Sequence, residues 1–273
     1  MPELPEVQTV VDSLRLNLLG KTITSVDFLW ERIAGNLSFH DMSAKLKGKT
    51  ILDVTRRAKY ILIHLDDATL IVHLRMEGRF FVKSIDEPIH KHSHVILVLR
   101  EGQRVEYNDT RKFGRFYYYG AADKFTVLEH LGPEPFDPEL TSKTLFQMTR
   151  KKKTVLKTWL LDQKHVAGIG NIYADEICFA SKMSPCQPVG RISCKQWGNI
   201  LTHMRDILTQ AILAGGTTIR TYSSALGIHG RFQVTLHAYG RNGKPCLTCG
   251  TPMKRIVVGQ RGTVYCPICQ KVR

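Results

Sequence analysis

A multidomain α+β fold is predicted by three features of this 273-residue chain: a helix-patterned start running into eight short β-like segments, a second half that reads as helices, and two closely spaced cysteine pairs near the end. Short strands without long helices between them pack as a sandwich or flattened barrel. With 43% hydrophobic residues, ordinary for a globular protein, the chain has ample material for a core.

The first element is an amphipathic helix, because Val7, Val10, Val11, Leu14 and Leu18 recur at helical spacing and predict one buried face. The stretch that opens it, Met1-Pro2-Glu3-Leu4-Pro5-Glu6, admits two readings. In one, proline and the acids simply start the helix, since proline suits the first turn and carboxylates suit the positive dipole end. In the other, a proline in second place favours removal of Met1 and leaves the Pro2 nitrogen as a secondary amine. Such an α-amino group titrates near about pH 8, so part of it is neutral and nucleophilic near neutrality. Its attack on a sugar carbon gives an iminium directly, and Glu3 beside it can donate a proton. A retained Met1 would make that nitrogen an amide and block it.

The β-like runs follow at Ile23–Trp30, Ile51–Arg57, Tyr60–Leu65, Leu70–Arg75, Arg79–Lys83, His94–Arg100, Arg104–Asn108 and Arg115–Tyr119, rich in β-branched and aromatic residues and divided by Gly, Asp or charged turns. Gly132, Pro133, Pro135 and Pro138 then break the pattern and mark the main domain boundary. Helices are expected over Thr141–Arg150, Val155–Leu161 and Ile172–Ser181, the last after the glycine turn Ala167–Asn171. The longest begins at Ser193, where Ser193 and Gln196 form a capping-box pair ahead of an apolar stripe from Trp197 to Ile212, and Gly215 and Gly216 end it. Residues 217–235 are polar, without period, and read as a mobile loop.

The cysteines carry the strongest local signal. Cys178, Cys186 and Cys194 are scattered and read as reduced thiols, whereas Cys246-x2-Cys249-x16-Cys266-x2-Cys269 has zinc-site spacing. Two disulfides or a redox pair are the rivals. The doubled pair in an intracellular setting favours one structural zinc that folds a hairpin too small for its own core. That hairpin displays Lys254, Arg255 and Arg261, with Gly259 and Gly262 flanking a tight tip at Arg261.

Charge points to the partner. Net charge is +15, and it is uneven: residues 1–150 hold 21 Lys+Arg against 20 Asp+Glu, while residues 151–273 hold 18 against 4. A balanced half joined to a strongly basic one suits a polyanion, nucleic acid above all. An anionic membrane surface fits less well, since no basic amphipathic helix accompanies the charge. No apolar run approaches the roughly 20 residues of a membrane span, and no signal peptide is visible.

Taken together these stretches resemble the bacterial formamidopyrimidine-DNA glycosylase family. The resemblance rests on Pro2–Val7, Arg56–Tyr60, His73–Gly78, Asp109–Gly114, Leu131–Pro135, Gly168–Tyr173, Gly215–Thr218 and the four-cysteine hairpin ending Tyr265-Cys266-Pro267, which appear in this order along nearly the whole chain. It implies an N-terminal β-sandwich catalytic domain with packed helices over 1–134, a helix–two-turn–helix DNA-binding domain over 135–240 with a lesion-covering loop at about 217–235, and a zinc finger over 241–273. It implies a bifunctional enzyme of base-excision repair, a DNA glycosylase and abasic-site lyase that flips out oxidised purines such as 8-oxoguanine and formamidopyrimidines. Double-stranded DNA is the partner, zinc the one cofactor, a monomer the expected state and the bacterial cytoplasm the location.

Carried over residue by residue, Pro2 is the nucleophile and Glu3 the proton donor, while Lys59 and Arg261 serve elimination and phosphate contact. Met76, Arg111 and Phe113 fill the space left by the flipped base; without the resemblance Met76 and Phe113 would read as core, and Lys59 as a surface lysine at a strand end. Asn171 and the Gly168–Gly170 turn offer donors to phosphate, His92 and Lys152 are further backbone contacts, and Cys246, Cys249, Cys266 and Cys269 hold the metal. The loop around Ser223–Gln233 closes over the extruded base.

The chain departs from the family at Gln8, usually glutamate, and at Arg220, where some members carry lysine; the loop tip Leu226–Arg231 leaves lesion preference open. Two rival functions stand beside this one. A sister enzyme resembling endonuclease VIII would prefer oxidised pyrimidines, but Leu4 and the Arg111–Phe113 motif speak against it. A zinc-ribbon protein that binds damaged DNA without cutting would need neither Pro2, Glu3 nor Lys59.

Overall fold

The computed structural model describes residues 1–217 and 236–272. They form two compact units, one of Met1–Glu129 with 215–217, the other of His130–Ala214 with 236–272.

In the first unit α1 (Leu4–Leu18) precedes two four-stranded antiparallel sheets. Strands β1 (Ile23–Phe28), β6 (Ser93–Leu99), β7 (Gln103–Asn108) and β5 (Arg79–Ser84) make one sheet, in that order. Strands β2 (Ile51–Arg57), β3 (Tyr60–Leu65), β4 (Ala68–His73) and β8 (Arg115–Gly120) make the other. All eight expected strands are present. Their inward residues, among them Ile23, Val54, Ile61, Val72, Val95, Val105 and Phe116, join the buried stripe of α1 in a single core. Each such apolar side chain is worth roughly 1.5–3 kcal/mol when fully buried, so the helix start is held by the core.

Among the described residues one α-helix was not expected. Helix α2 (Phe39–Leu46) follows Ser38, whose hydroxyl accepts from the Asp41 amide at 3.1 Å. Only Met42 and Leu46 of this helix are buried, one i,i+4 pair, too short a stripe to stand out among strands.

The second unit is built on α3 (Ser142–Thr149), α4 (Leu156–Leu161), α5 (Asn171–Ala180) and α6 (Cys194–Leu213), with the hairpin β9 (Lys254–Val258) and β10 (Arg261–Tyr265). The capping box foreseen at the start of α6 is formed, Gln196 N donating to Ser193 Oγ at 3.3 Å and Ser193 N to Gln196 Oε1 at 2.8 Å. Gly215 and Gly216 follow the helix with φ of +76° and +79°, the left-handed region that glycine enters freely. Trp159 and Trp197 centre the helical core, and the Trp197 indole donates to Thr149 Oγ1 at 3.0 Å. Among the described residues no helix is long and apolar enough to cross a membrane.

Candidate nucleic-acid interface and catalytic residues

The candidate side chains fall in three groups, two within the first unit and one within the second. The first surrounds the chain start. Pro2, Glu3 and Glu6 are buried, and Glu6 ties the first turn of α1 down. Its Oε2 accepts from Glu3 N at 2.9 Å, and its Oε1 accepts from the amide and hydroxyl of Thr217 at 2.8 and 2.9 Å. Burial lowers the pKa of the Met1 α-amino group, Glu3 and Glu6 pull it back up, and the Lys59 ammonium lowers it again. Lys59 is only 5% exposed, which removes the reading of a surface lysine. It lies in the two-residue turn between β2 and β3, where Arg57 pairs with Tyr60 and Ala58 takes a φ of +52°. Arg56 braces this turn, donating from Nη1 to Ala58 O at 3.0 Å and from Nε to Gln8 Oε1 at 2.9 Å. Gln8 also donates to Asp12 at 2.8 Å, so the departure at this position has a defined place in the bracing.

The second group is an exposed pair of loops. Met76 is 39% and Phe113 46% exposed, so neither belongs to the core. The Arg111 guanidinium lies over the Phe113 ring at 4.7 Å. His92 is half-buried just before β6, and its carbonyl accepts from Asp109 N at 3.1 Å. Asp109, wholly buried, receives the amides of Arg111, Phe113 and Gly114 on its carboxylate.

The third group joins α5 to the hairpin. Gln163 shapes the glycine turn, its amide donating to Ile169 O at 2.8 Å and its carbonyl accepting from Gly168 N at 2.9 Å, with Gly168 at a φ of +103°. Asn171 then opens α5. Its Nδ2 donates to Gly262 O at 3.2 Å, while its buried Oδ1 meets no partner among the described residues. The same Gly262 carbonyl accepts from Lys157 Nζ at 3.0 Å, and Lys157 pairs with Asp175 at 2.7 Å, both side chains fully buried. Asp175 also accepts from Val264 N at 3.0 Å. Burial pushes the Asp175 carboxyl up to about 6 against the pull of Lys157. The hairpin turn is Gly259-Gln260, both with positive φ, rather than Arg261 itself; Arg261 starts β10 opposite Val258 and is exposed. Lys152 is exposed ahead of α4. The residues of the expected lesion-covering loop beyond Thr217, with Arg220, Ser223–Gln233 and Leu226–Arg231, lie outside the described residues.

At the base of the hairpin the Sγ atoms of Cys246, Cys249, Cys266 and Cys269 all lie within 4.8 Å of one another. Cys246 and Cys269 are 4.0 Å apart and Cys249 and Cys266 3.5 Å. A tetrahedron with Zn–S bonds of about 2.3 Å has edges of about 3.8 Å, whereas a disulfide needs about 2.05 Å. Backbone amides of Thr248 and Cys269 point at Cys246 and Cys266 sulfur, each at 3.4 Å, as suits thiolates.

Family models match the chain in three places: a formamidopyrimidine-DNA glycosylase N-terminal domain over residues 1–116, a formamidopyrimidine-DNA glycosylase H2TH domain over 131–223, and a zinc finger found in FPG and IleRS over 243–272. The formamidopyrimidine-DNA glycosylase of Bacillus licheniformis is 42% identical over 276 residues, covering 99% of this chain and all of that one. The chain belongs to the formamidopyrimidine-DNA glycosylase family. That of Geobacillus kaustophilus is 41% identical, with 99% and 100% covered. The glycosylase of Lactococcus lactis, solved with DNA containing N7-benzyl-Fapy-dG, superposes with a TM-score of 0.93 at 35% identity, covering 99% of this chain and 100% of the other. The same protein with abasic-site DNA gives 0.92 at 36% identity, covering 98% and 99%.

The fold of this glycosylase is the family's: sandwich, helical region and cysteine hairpin. Its four thiolates hold one structural zinc, with no open position for chemistry. Reading residues singly missed Asp109, Lys157, Asp175 and Gln163, all of which act on backbone groups. An Asp two residues before an exposed arginine in Asp109-Thr110-Arg111 is a turn signal that could have found the first.

Proposed function

We propose that the chain removes oxidised purines from duplex DNA through a covalent intermediate on Pro2 and then cuts the strand on both sides of the abasic sugar. It is a family glycosylase and abasic-site lyase, so what is proposed is the substrate range and the route. The observation that carries it is the chain start: Pro2 is buried beside Glu3 and Glu6 on a helix the core holds still, where the charges of Glu3, Glu6 and Lys59 all reach the amine of the residue before it.

With Met1 removed, the Pro2 lone pair attacks C1′ and the glycosidic bond breaks with its electron pair going to the departing base, which takes up the proton that the Pro2 nitrogen loses. The sugar ring opens as the C1′–O4′ electron pair moves to O4′, which takes a proton from Glu3, and a Pro2 iminium remains. Loss of a C2′ proton expels the 3′ phosphate, a second elimination expels the 5′ phosphate, and water releases the sugar remnant. Lys59 serves proton transfer and phosphate contact in these steps, and exposed Arg261 the second elimination. Extruding the base costs a few kcal/mol, about what an aromatic and an apolar wedge recover by refilling the stack. Met76 and Phe113 are exposed side chains of that kind, and Arg111 can bond the orphaned base. Lys152, His92 and Asn171 position the backbone. The protein works as a monomer in the bacterial cytoplasm.

Borohydride trapping on duplex DNA with 8-oxoguanine opposite cytosine tests this, with intact mass of protein and adduct. A trapped adduct on Pro2 of protein lacking Met1 is expected. Tight, lesion-selective binding without an adduct, on protein shown to lack Met1, would overturn the route and leave a DNA binder that does not cut.

A further inference from the structure

We infer that Asp109 is the positioning residue of the wedge, holding Arg111, Phe113 and Met76 as one preformed unit before DNA arrives. The inference rests on the reading of those three side chains given above.

Three backbone amides converge on one buried carboxylate. Asp109 Oδ1 accepts from Arg111 N at 3.0 Å, and Oδ2 accepts from Phe113 N and Gly114 N, each at 2.8 Å. The residue itself is fixed from behind. Its amide donates to His92 O at 3.1 Å, and its carbonyl accepts from His94 Nε2 at 2.9 Å. Closing the loop around this carboxylate puts Lys112 in the left-handed region at a φ of +56°. Its ammonium then lies over the Trp30 ring at 4.3 Å, while Arg111 stacks on Phe113.

The Met76 turn is tied to the same frame. Thr110 Oγ1 donates to Glu77 Oε2, and Gly78 N closes the turn onto Leu74 O at 3.1 Å. The buried Tyr107 hydroxyl packs against both Gly78 and Gly114, where any Cβ would overlap it. Two loops that each cross from one sheet to the other, β4 to β5 and β7 to β8, are therefore tied together, and they present two large apolar side chains to solvent, Met76 and Phe113. A core does not need that arrangement, and a wedge does. Side chains ordered in advance lose less freedom when they enter a base stack.

Asp109→Asn tests the carboxylate, because an amide offers one oxygen where three amides need two. Thr110→Val, at an exposed residue, cuts the tie to the Met76 turn without touching the buried frame. Each is compared with wild type in single-turnover cleavage of paired 8-oxoguanine and of an abasic site in single-stranded DNA, where nothing must be extruded. D109N should slow the paired substrate by about tenfold or more, and T110V by about threefold or more, with the abasic strand cut within about twofold of wild type. A 2-aminopurine beside the lesion should brighten less with D109N than with wild type. Equal loss on both substrates would show a general structural role and overturn the inference, as would full activity of both variants. If D109N fails to fold, T110V decides by the same comparison. Wild type inactive on both substrates would strike the underlying reading instead.

Discussion

At the scale of the residue, the site depends on buried carboxylates that accept from every side. Glu106 on β7 is wholly buried, with hydrogen bonds from Ser93 Oγ at 2.7 Å, His90 N at 3.0 Å, Arg104 Nε at 2.7 Å and His90 Nδ1 at 3.1 Å. Burial alone would raise its pKa, but these donors outweigh it and hold the carboxyl down at about 2, against an ordinary 4.5. A depressed carboxyl adds stability that is complete above the ordinary value and is lost as the pH falls from 4.5 toward 2. The shift corresponds to about 3 kcal/mol. Urea unfolding should therefore show Glu106→Gln destabilised by about that much at neutral pH, with a flatter pH dependence below the ordinary carboxylate range. Parallel curves for the two proteins would refute this. Arg104 extends the same pair to the carbonyls of Ile85 and Glu87, so the loop that leads to His92 should loosen in the variant and exchange its amides faster.

At the scale of the element, the hairpin β9–β10 is held by two devices of different legibility. The thiolate tetrahedron was readable because ligand spacing is a property of sequence. The Lys157–Asp175 pair was not, because its function is to bind the backbone of Gly262 and Val264, which any sequence would offer. The same division runs through the fold. Eight strands were legible from β-branched runs, and α6 from its cap and stripe, whereas α2, with one buried i,i+4 pair, was not. In the site, Met76 and Phe113 carry the composition of core residues, and only resemblance set them apart; their exposure follows from turns fixed by Asp109 and Tyr107. Two outcomes follow for the hairpin. Chelation of the metal should abolish DNA binding while the strand signal in circular dichroism stays near that of the loaded protein, since the eight-stranded core lies in the other unit. Lys157→Met should destabilise the hairpin by about 3–5 kcal/mol, because it leaves Asp175 buried without its cation. Proteolysis within 241–272 at a faster rate than in wild type would register that loss, and an unchanged rate would refute it.

At the scale of the whole molecule, the uneven charge predicts how binding responds to salt. The 18 Lys+Arg of residues 151–273 face only 4 acids, so this half carries nearly all of the +15. Each phosphate neutralised releases condensed counterion, and the logarithm of the binding constant falls by about 0.9 per contact for each decade of salt. Lys152 is exposed and is proposed as one such contact. Lys152→Ala should then weaken binding to undamaged and damaged duplex alike and make the salt slope shallower by about 0.9. Phe113→Ala should behave in the opposite way. It removes no charge, so the slope for undamaged duplex should stay that of wild type, while the preference for lesion DNA falls, because the apolar ring acts only once a base has left the stack. Anisotropy titrations of both variants on both duplexes, from about 50 to about 300 mM salt, separate the two effects. If Lys152→Ala changed lesion preference and left the slope alone, its side chain would be reading the lesion rather than the backbone, and the division between a basic half that binds and an exposed wedge that selects would fail.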